Sequence, residues 1–552
     1  MEWWKEKVIY QIYPRSFADG NGDGIGDLKG IVKKLDYLKD LGVGGIWLSP
    51  HYPSPFLDCG YDVSDYTAVG EEYGSLNDFR EFLREAHKRD IRVILDLVLN
   101  HTSDQHSWFR ESRSSKNNPK RDWYIWKENN GTLPNDWQSC FTGPAWTLDE
   151  ETDEYYYHFF LKEQPDLNWR NPEVKKAMFD SMRFWLDMGV DGFRIDAITA
   201  VYEDENLTDQ GMTPEEFRKK TENSEVGGFL QENVWEYYMR YQIKQPELHD
   251  LLVEIRELAE SYGPDRFLVG ELPDTEYLGT TGNELHMVFN FPLMYEGLTG
   301  RNILENQHIR LPLHPAGSWQ GNTLSNHDQS RIRSKYAGGN LKDPILKQSV
   351  FLMMTLKGTP FLYYGEELGM KDYSPNRIED FKDLKSANLY YKEIEAGQSE
   401  EVALEIARKD TRDRCRTPMP WNGSPNGGFC PEGIAAWLPV DPEFAEGVNV
   451  EDEEKDSDSL LNFYKSIINF RNSHEVLQTG EFRGFESGDN ELLFFERSLG
   501  KDKYYILINF SDRMIPWRPP QYERVDIIFG TPGDYDGEIV AGGSSIIMKV
   551  VV

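Results

Sequence analysis

Residues 91–99 read Ile-Arg-Val-Ile-Leu-Asp-Leu-Val-Leu, and Asn100-His101 follow them directly. The stretch is strongly apolar, and continuous apolar runs of this kind are typical of parallel strands that are buried on both faces. It is the third such run along the chain. It therefore predicts a central strand of a parallel sheet, with polar residues at its carboxyl end.

The regions on both sides of this stretch alternate between short apolar runs and helical patterns. Apolar residues spaced as on one helix face predict a helix over 28–41, and Ser75-Leu-Asn-Asp78 resembles a capping box that begins another. Three further helical regions are predicted: one begins at Pro172, a second ends near Tyr262, and a third spans Ile345–Leu356. The other predicted strands are Val8–Tyr13, Gly45–Leu48, Gly192–Ile195, Phe267–Val269, Met287–Phe289, Thr323–Leu324 and Phe361–Tyr364. Eight strands alternating with helices predict an α/β fold, a (β/α)₈ TIM barrel.

Two regions depart from this alternation and predict additions to the barrel. Residues 101–171 are rich in Trp, Tyr, Asn and Asp without periodicity and are too long for a loop, so they predict an inserted subdomain after strand three. From residue 475 short alternating strands predict a C-terminal antiparallel β domain, 475–552. The barrel then comprises residues 1–100 and 172–474, with a charged, helix-prone insertion at about 369–412. The strands predicted in the β domain include Glu491–Arg497, Tyr504–Asn509 and Ser545–Val552.

Composition excludes several classes of protein. The chain has 552 residues, of which 60 are Lys or Arg and 94 are Asp or Glu, and its net charge of −34 would repel a nucleic acid. The four cysteines are scattered without a C-x-x-C pair, and the charged N-terminus lacks the apolar core of a signal peptide. No apolar run approaches the roughly 20 residues that span a bilayer. We expect a cytoplasmic protein with a small-molecule partner, no nucleic acid and no membrane; oligomeric state is not readable from the sequence.

Chemically active residue types stand at the ends of four predicted strands. Barrel enzymes place their catalytic groups at these carboxyl ends, which meet at one rim. A single acid there is more often a helix cap or a salt-bridge partner. Four strand ends with such residues favour an active site at the rim. The residues are Asp96, Asn100 and His101; Arg194, Asp196 and Ala197; Glu271; and Asn326, His327 and Asp328.

These segments resemble the conserved regions of the α-amylase superfamily of glycoside hydrolases and transglycosylases (family 13). Asp96–His101 is similar to the first region, Gly192–Ala197 to the second, Phe267–Glu271 to the third and Ser325–Asp328 to the fourth. Gln164-Pro-Asp-Leu-Asn168 resembles the fifth region in the form of the oligo-1,6-glucosidase and α-glucosidase subgroup. The resemblance runs from about Tyr10 to Trp421 and continues into the β domain.

The resemblance implies a retaining glycosidase with three catalytic acids. Asp196 would be the nucleophile, Glu271 the general acid/base, and Asp328 the acid that orients the sugar hydroxyls. A retaining enzyme needs its two catalytic carboxyl groups about 5–5.5 Å apart. Arg194, two residues from Asp196 on the same strand, should point the same way and hold that carboxylate anionic.

The family pattern also implies a closed glucose pocket. Tyr61 would stack on the terminal glucose, and Asp58 paired with Arg416 would grip its far hydroxyls, so that single units are cut from chain ends. The alternative for Asp58 is a structural turn. Other expected pocket residues are His101, Phe141, Phe159, Gln164 and His327. A zinc site at the two histidines is disfavoured, because they lack a compact His-x-x-x-His ligand set.

A glycine-rich loop, Asp19-Gly-Asn21-Gly-Asp23-Gly-Ile25-Gly-Asp27, carries oxygen side chains at alternate positions. That spacing suits a hard cation, Ca²⁺ or alternatively Mg²⁺, although Gly30 stands where an EF-hand has glutamate. The family carries this loop as a structural metal site to which Ile25 contributes its carbonyl. A metal-free polar turn is the other interpretation.

Substrate preference is predicted from the residue after the nucleophile. In the subgroup this residue is Val in α-1,6-specific enzymes and smaller in α-1,4-specific ones, so Ala197 favours maltose and short malto-oligosaccharides. The sequence departs from the subgroup pattern at Cys59 and at the Leu-Pro-Asp that follows Glu271. The alternatives are a glucosyl-transferring or isomerising relative that acts on sucrose, maltose or trehalose, and a non-catalytic sugar-binding scaffold.

Overall fold

Eight parallel strands close into a barrel in the computed structural model, which describes residues 2–141, 143–213, 216, 236–520, 524–530 and 533–551. Each strand pairs with its neighbours along the chain, and the last strand pairs with the first, with Phe361 opposite Ile9. The predicted (β/α)₈ barrel is confirmed. The strands are Ile9–Ile12, Gly45–Leu48, Arg92–Val98, Gly192–Asp196, Phe267–Gly270, Met287–Phe289, Trp319–Asn322 and Thr359–Tyr363.

The inside of the barrel changes from apolar to polar along the strands. Side chains alternate along a strand, so residues i and i+2 share a face. Ile9 and Ile94 belong to an apolar cluster that fills the lower barrel, and Gln11 and Asp96 stand two positions further along the same strands. The polar groups are therefore collected at the carboxyl ends of the strands, where the site is expected.

One barrel strand was predicted at the wrong residues. The seventh strand is Trp319–Asn322 rather than Thr323–Leu324, which follow it in the turn before the rim. Trp319 packs in the apolar cluster of the lower barrel, so the strand extends down to it. The shift places Ser325–Asp328 beyond the strand end.

The helices surround the barrel, with local signals that match the sequence. The capping box at Ser75 is present, and Asn171 and Asp343 cap two helices that begin at prolines. The helix predicted over 28–41 is instead two helices, because Lys34 leaves the helical conformation. The longer helices are Leu28–Lys33, Leu35–Leu41, Leu76–Lys88, Ser107–Arg113, Pro172–Met188, Glu247–Glu260, Gly300–Arg310, Pro344–Thr355, Leu384–Glu395, Glu400–Asp410, Val450–Lys455 and Leu460–Asn472. Short helices are Trp3–Glu6, Pro14–Phe17, Phe291–Tyr295, Ile332–Tyr336 and Glu475–Thr479. Part of the helical region predicted up to Tyr262 lies outside the described residues.

Between the third and fourth barrel strands the chain forms a small antiparallel sheet. Its strands are Trp126–Glu128, Trp146–Asp149 and Glu154–Tyr157, with the last in the middle. An aromatic cluster that includes Trp137 and Phe159 packs beneath it. This sheet and its loops form one wall above the barrel rim.

The C-terminal region is an antiparallel β structure, as predicted. Its five-stranded sheet has the spatial order Glu481–Phe485, Leu492–Leu499, Asp502–Asn509, Ser545–Val550 and Val525–Phe529, and Ile515–Pro516 pairs with Ile539–Val540. The strand predicted to end at Val552 ends at Val550, and Val552 lies outside the described residues. Gln348 Nε2 donates to the Asn509 carbonyl at 2.6 Å and joins this sheet to a barrel helix.

In the ranges given above, no helix is long and apolar enough to cross a bilayer. All four cysteines lie within those ranges and are free thiols.

Candidate active site

A cavity of about 380 Å³ opens at the carboxyl ends of the barrel strands. The predicted acids Asp196, Glu271 and Asp328 all line it. Five further expected residues line it: Asp58, Tyr61, His101, Phe141 and Ala197. Phe160, next to the expected Phe159, also lines it. The barrel rim thus collects residues that are far apart in the sequence into one space.

Arg194 stands at the floor of this cavity and holds three carboxylates. Its Nη1 lies 2.6 Å from Asp196 Oδ1 and 2.7 Å from Asp96 Oδ1, and its Nη2 lies 2.7 Å from Glu271 Oε1. The arginine is 1% exposed. Since one planar guanidinium fixes Asp196 and Glu271 through its two terminal nitrogens, the two predicted catalytic carboxyl groups face each other at short range.

The carboxylates of this cluster compete for one positive charge. Burial raises the pKa of Asp196 well above its usual range, with Arg194 opposing the shift and Glu271 adding to it. Burial likewise raises the pKa of Asp96 to about 6, again against Arg194. Asp96 and Asp196 therefore bind a proton more readily than a free aspartate does, because both are buried and like charges at this spacing destabilise each other.

The chain turns sharply after the predicted nucleophile. Ala197 has φ 43° and ψ 32°, a left-handed conformation that is strained for a residue with a Cβ. The turn aims the Ala197 N–H at Glu271 Oε2, 3.0 Å away. The strained residue therefore helps to fix the position of the second catalytic carboxyl group.

Asp328 lies between an arginine and a histidine. Arg416 Nη2 lies 2.6 Å from its Oδ1, and His327 Nε2 lies 3.2 Å from its Oδ2. Although burial works in the other direction, His327, Arg416 and Arg412 hold the pKa of Asp328 well below its usual range. The direction of this shift is opposite to that of Asp196 and Asp96, and Asp328 is ionised.

The predicted pairing of Asp58 with Arg416 is wrong. Arg416 lies behind the seventh strand end, where its Nε donates to the His327 carbonyl at 2.7 Å, and from there it reaches Asp328. Arg412 takes the expected place, with its Nη2 2.7 Å from Asp58 Oδ1. The arginine that pairs with Asp58 is thus one turn earlier in the chain than expected.

The other oxygen of Asp58 is held from the inserted subdomain. Gln164 Nε2 lies 2.9 Å from Asp58 Oδ2 and 2.9 Å from His101 Nε2. Burial lowers the pKa of His101 to about 3, so its ring is neutral. These contacts join the second and third strand ends to the subdomain wall.

Aromatic rings complete the walls, with one difference from the expectation. Tyr61 lies parallel to the His327 ring at 5.3 Å between centroids and lines the cavity. Phe141 also lines it, but Phe159 does not. Phe159 is 2% exposed inside the aromatic cluster of the subdomain, and the nearly perpendicular ring of Phe160 faces the cavity in its place.

Several lining residues were not foreseen from the sequence. Lys385 and Asp410 line the cavity, with Lys385 Nζ 3.1 Å from Asp410 Oδ1. Arg412 also lines it and is held by the buried Asp383, whose Oδ1 lies 2.7 Å from Arg412 Nη2. The charged composition of the insertion was the signal available for them, and it does not say which charges face the cavity. The remaining unforeseen lining residues are Gln329, Lys409 and Arg414.

The loop predicted to bind a cation folds through its own side chains. Asp19 Oδ1 accepts the Asn21 N–H at 3.1 Å, and its Oδ2 accepts the Gly24 N–H at 2.8 Å. Asp23 Oδ1 accepts the Ile25 N–H at 2.9 Å. These are the contacts of a polar turn, and they leave lone pairs on every carboxylate oxygen.

Asp27 differs from its neighbours because it caps the helix that begins at Leu28, with its Oδ1 2.6 Å from the Gly30 N–H. The donors of this loop are all oxygens, which fits Ca²⁺ chemically. In the part of the chain that the structure describes, no three His, Cys, Asp or Glu side chains are placed together to hold a metal. The Ca²⁺ site stays a prediction.

Comparison with known proteins agrees with this geometry. Residues 11–480 match the family model of the alpha-amylase catalytic domain. The chain belongs to the α-amylase family and is a glycoside hydrolase. Its relatives of similar length include oligo-1,6-glucosidases, an α-glucosidase and a trehalose-6-phosphate hydrolase.

Three of these relatives define its neighbourhood in the family. An oligo-1,6-glucosidase from Parageobacillus thermoglucosidasius is 38% identical over 556 residues, covering 94% of this chain and 92% of that protein. An α-glucosidase from Schizosaccharomyces pombe is 37% identical, with coverage of 94% and 92%. The solved structure of an isomaltulose synthase from Protaminobacter rubrum superposes with a TM-score of 0.88 at 32% identity and covers both chains fully.

Proposed function

We propose that this glycoside hydrolase is a retaining, exo-acting α-glucosidase, that it favours α-1,4 over α-1,6 linkages, and that its substrates are maltose and short malto-oligosaccharides. The observation that carries the proposal is the shared guanidinium of Arg194, which holds Asp196 and Glu271 at short range. Inverting enzymes keep their two carboxyl groups about 6.5–9.5 Å apart to admit a water, whereas retaining enzymes bring them closer.

The reaction follows from the roles these positions support. Asp196 attacks the anomeric carbon while Glu271 gives its proton to the glycosidic oxygen, and the C–O bond to the leaving sugar breaks. Glu271 then takes a proton from a water molecule, which attacks the glucosyl–Asp196 ester and releases glucose. Two inversions at one carbon give net retention.

Asp328 and the two histidines support substrate binding rather than bond breaking. Asp328 stays ionised and accepts hydrogen bonds from sugar hydroxyls, and neutral His101 and His327 have one N–H each to donate. Such contacts hold the ring as it flattens towards the oxocarbenium-like transition state.

Exo action is supported by the closed end of the cavity. Asp58 and Arg412 meet at 2.7 Å across the space where a further sugar unit would lie. Gln164 braces the same carboxylate from the opposite wall. A chain can therefore enter only by its non-reducing end, and one glucose is removed per cut.

The α-1,4 preference is supported by Ala197. Its methyl group lines the cavity beside the predicted nucleophile, and a larger side chain there would narrow the space for the leaving sugar. A difference of this size is worth about 1–3 kcal/mol of preference. The Parageobacillus relative is named for α-1,6 linkages, and the name of the Schizosaccharomyces relative specifies no linkage. The proposed α-1,4 preference therefore rests on Ala197.

A glucosyl-transferring or isomerising enzyme is the second candidate. It is favoured by the close superposition on an isomaltulose synthase. Both activities would use the same acids and differ in whether water or a sugar intercepts the glucosyl ester. A non-catalytic scaffold is disfavoured, because Asp196, Glu271 and Asp328 are all present at the cavity.

We also propose that Ca²⁺ binds the loop of Asp19, Asn21, Asp23, Ile25 and Asp27, on the strength of its oxygen donors. Bound there, the ion would stabilise the loop and the adjoining first barrel helices and take no part in the chemistry. Four free thiols support a cytoplasmic location.

The test of the proposed function is glucose release from maltose, isomaltose, sucrose and trehalose in parallel, with the anomer followed by NMR. We expect maltose to be the best substrate and α-glucose to appear first. An Asp196→Asn variant provides the control and should lose at least about 10³-fold in kcat. Early β-glucose would exclude retention, and preferred cleavage of isomaltose would exclude the α-1,4 preference. New disaccharides without net glucose would establish a glucosyl-transferring or isomerising enzyme.

A further inference from the structure

We propose that Gln11 is a positioning residue for the glucosidase reaction, which sets the tautomer of His327 so that its Nε2–H faces Asp328 and the incoming glucose. The inference rests on the proposed function for its kinetic consequence. Its structural content concerns only which ring nitrogen of His327 carries the proton. Gln11 lies on the first barrel strand and belongs to none of the strand ends that the chemistry uses.

The orientation of the His327 ring is fixed by stacking. The imidazole is 0% exposed and lies between the rings of Tyr61 and Tyr13, each inclined to it by 12° at centroid distances of 5.3 and 6.4 Å. Trp47 meets it edge-on at 5.9 Å. A ring held in this way presents its two nitrogens in two fixed directions within one plane.

His327 carries a single N–H at neutral pH. Burial lowers the pKa of His327 to about 3. Asp328 raises it in part, and the charged groups that oppose the protonated form are Arg194, Arg412 and Arg416. The uncharged phenols of Tyr13 and Tyr61 flank the ring. With one proton available, the function of each nitrogen depends on which of the two holds it.

Gln11 decides between the two nitrogens. Its Nε2 lies 2.8 Å from His327 Nδ1, and an amide N–H can only donate, so Nδ1 accepts and the ring proton belongs on Nε2. Ser49 Oγ, 3.1 Å from the same amide nitrogen, takes its second hydrogen. Gln11 is 1% exposed, so water does not compete for these bonds.

The hydrogen bonds on the other side of the His327 ring also require the proton on Nε2. His327 Nε2 lies 2.6 Å from the Tyr61 hydroxyl, which donates its own hydrogen to Asp96 Oδ2 at 3.0 Å. Its oxygen is then free to accept from Nε2–H. Asp96 in turn accepts from Arg194, which holds the predicted nucleophile. A chain of hydrogen bonds thus runs from Gln11 through His327, Tyr61 and Asp96 to Arg194.

The opposite tautomer would work against binding. The lone pair of Nε2 would then face the Asp328 carboxylate at 3.2 Å, and Nδ1–H would face the amide N–H of Gln11. Both contacts are repulsive. The sugar hydroxyl that approaches Asp328 would also lose its neighbouring donor. Gln11 therefore acts on substrate through His327 without touching it.

The direct test is ¹⁵N NMR of histidine-labelled enzyme, with the His327 signals identified by their loss in H327Q. We expect a protonated Nε2 and an unprotonated Nδ1 in the wild type. Q11E should reverse the pattern, since a carboxylate accepts from Nδ1–H, and Q11M should leave a mixture. A protonated Nδ1 in the wild type, or an unchanged pattern in Q11E, would overturn the proposal.

Kinetics test the consequence. We expect kcat/KM on the preferred glucoside to fall on the order of 10- to 100-fold in Q11E and Q11M, the size typical of partners that orient an active-site histidine. The acid limb of the pH profile should move upward only in Q11E, where the new charge favours protonated His327. The control is Q348M, at a buried glutamine that joins a barrel helix to the C-terminal sheet, and it should resemble the wild type in both experiments. Equal loss at every pH in Q11E, or the same loss in Q348M, would show that Gln11 has only a packing role. If wild-type enzyme cleaved no α-glucoside, the proposed function would fail while the NMR experiment still decided the tautomer.

Discussion

Arg412 Nη2 lies 2.7 Å from Asp58 Oδ1, and this contact joins the insertion after the last barrel strand to the loop after the second. The same nitrogen lies 2.7 Å from Asp383 Oδ1, and Nη1 lies 3.6 Å from Asp328 Oδ1. Asp58 and Asp383 are both buried. One guanidinium thus neutralises two buried carboxylates and closes the cavity at the same time.

Arg412→Ala should be destabilising and should change the products. Leaving buried carboxylates without their partner costs about 3–5 kcal/mol, to be measured as the free energy of unfolding in denaturant. The opened end should also raise the rate on long malto-oligosaccharides relative to maltose. Arg408→Ala is the control, since this arginine makes an exposed pair with Glu405 and should change stability by less than about 0.5 kcal/mol. An unchanged ratio of the rates on long malto-oligosaccharides and maltose in Arg412→Ala would show that the guanidinium does not determine exo action.

Ala197→Val should shift the linkage preference towards isomaltose. The added methyl groups narrow the leaving-sugar space, and about 1–3 kcal/mol corresponds to a change of roughly 5- to 150-fold in the ratio of kcat/KM values. A β-branched residue is also poorly suited to φ 43°, so the variant should be less stable. Ala197→Gly relieves that strain without adding volume and should keep the preference for maltose. A ratio that moved equally in both variants would indicate backbone strain rather than space.

Glu453→Gln should flatten the fall in stability between about pH 4 and pH 8. Glu453 is 7% exposed, and burial raises its pKa to about 8, whereas an unfolded glutamate titrates near 4.3. The folded state binds the extra proton across this interval, so its stability declines as pH rises and is lowest above the folded pKa.

The variant should therefore be more stable than the wild type at pH 8.5 by about 1–3 kcal/mol and equal to it near pH 4. Urea unfolding at several pH values measures the difference. Glu454→Gln, on the exposed side of the same helix, should reproduce the wild-type slope. A constant difference at all pH values would mean that the carboxyl group does not titrate in this interval.

Ca²⁺ should raise the melting temperature, and a chelator should lower it. A ligand present at 100 times its dissociation constant stabilises the folded state by about 2.7 kcal/mol. Asp23→Ala should abolish the response, because in the proposed site that side chain would contribute a ligand oxygen, and its hydrogen bond to Ile25 is local. Activity measured at low temperature should stay unchanged by chelation. Equal melting temperatures with Ca²⁺ and chelator would leave the loop as a metal-free turn.

The fold was predictable because the barrel strands carry an unusually simple signal. A parallel strand buried on both faces is apolar along most of its length, as residues 91–99 are apart from Arg92 and Asp96, and it can be recognised without knowledge of its partners. The seventh strand was misplaced because Trp319-Gln-Gly-Asn322 contains two amides and a glycine, which do not form an apolar run. Its place in the sheet is determined by pairing with the sixth and eighth strands, and a local sequence pattern does not reveal that pairing.

The site was predictable where a residue's position depends on its own strand. Arg194 and Asp196 share a face because they are two residues apart, and the structure has them in contact. The partner of Asp58 was misassigned because Arg412 and Arg416 lie one helical turn apart in an irregular segment. Which of them reaches Asp58 depends on the path of the chain, not on its composition.

Closure of the barrel between Ile9–Ile12 and Thr359–Tyr363 has a consequence for synthesis of the protein on the ribosome. The first strand emerges early, and its second neighbour is made some 350 residues later. At about 5–20 residues per second this interval lasts roughly 20–70 s. During that time a buried apolar strand has an unpaired edge, which is a template for aggregation. We expect this edge to need shielding from other chains until the last barrel strand has emerged.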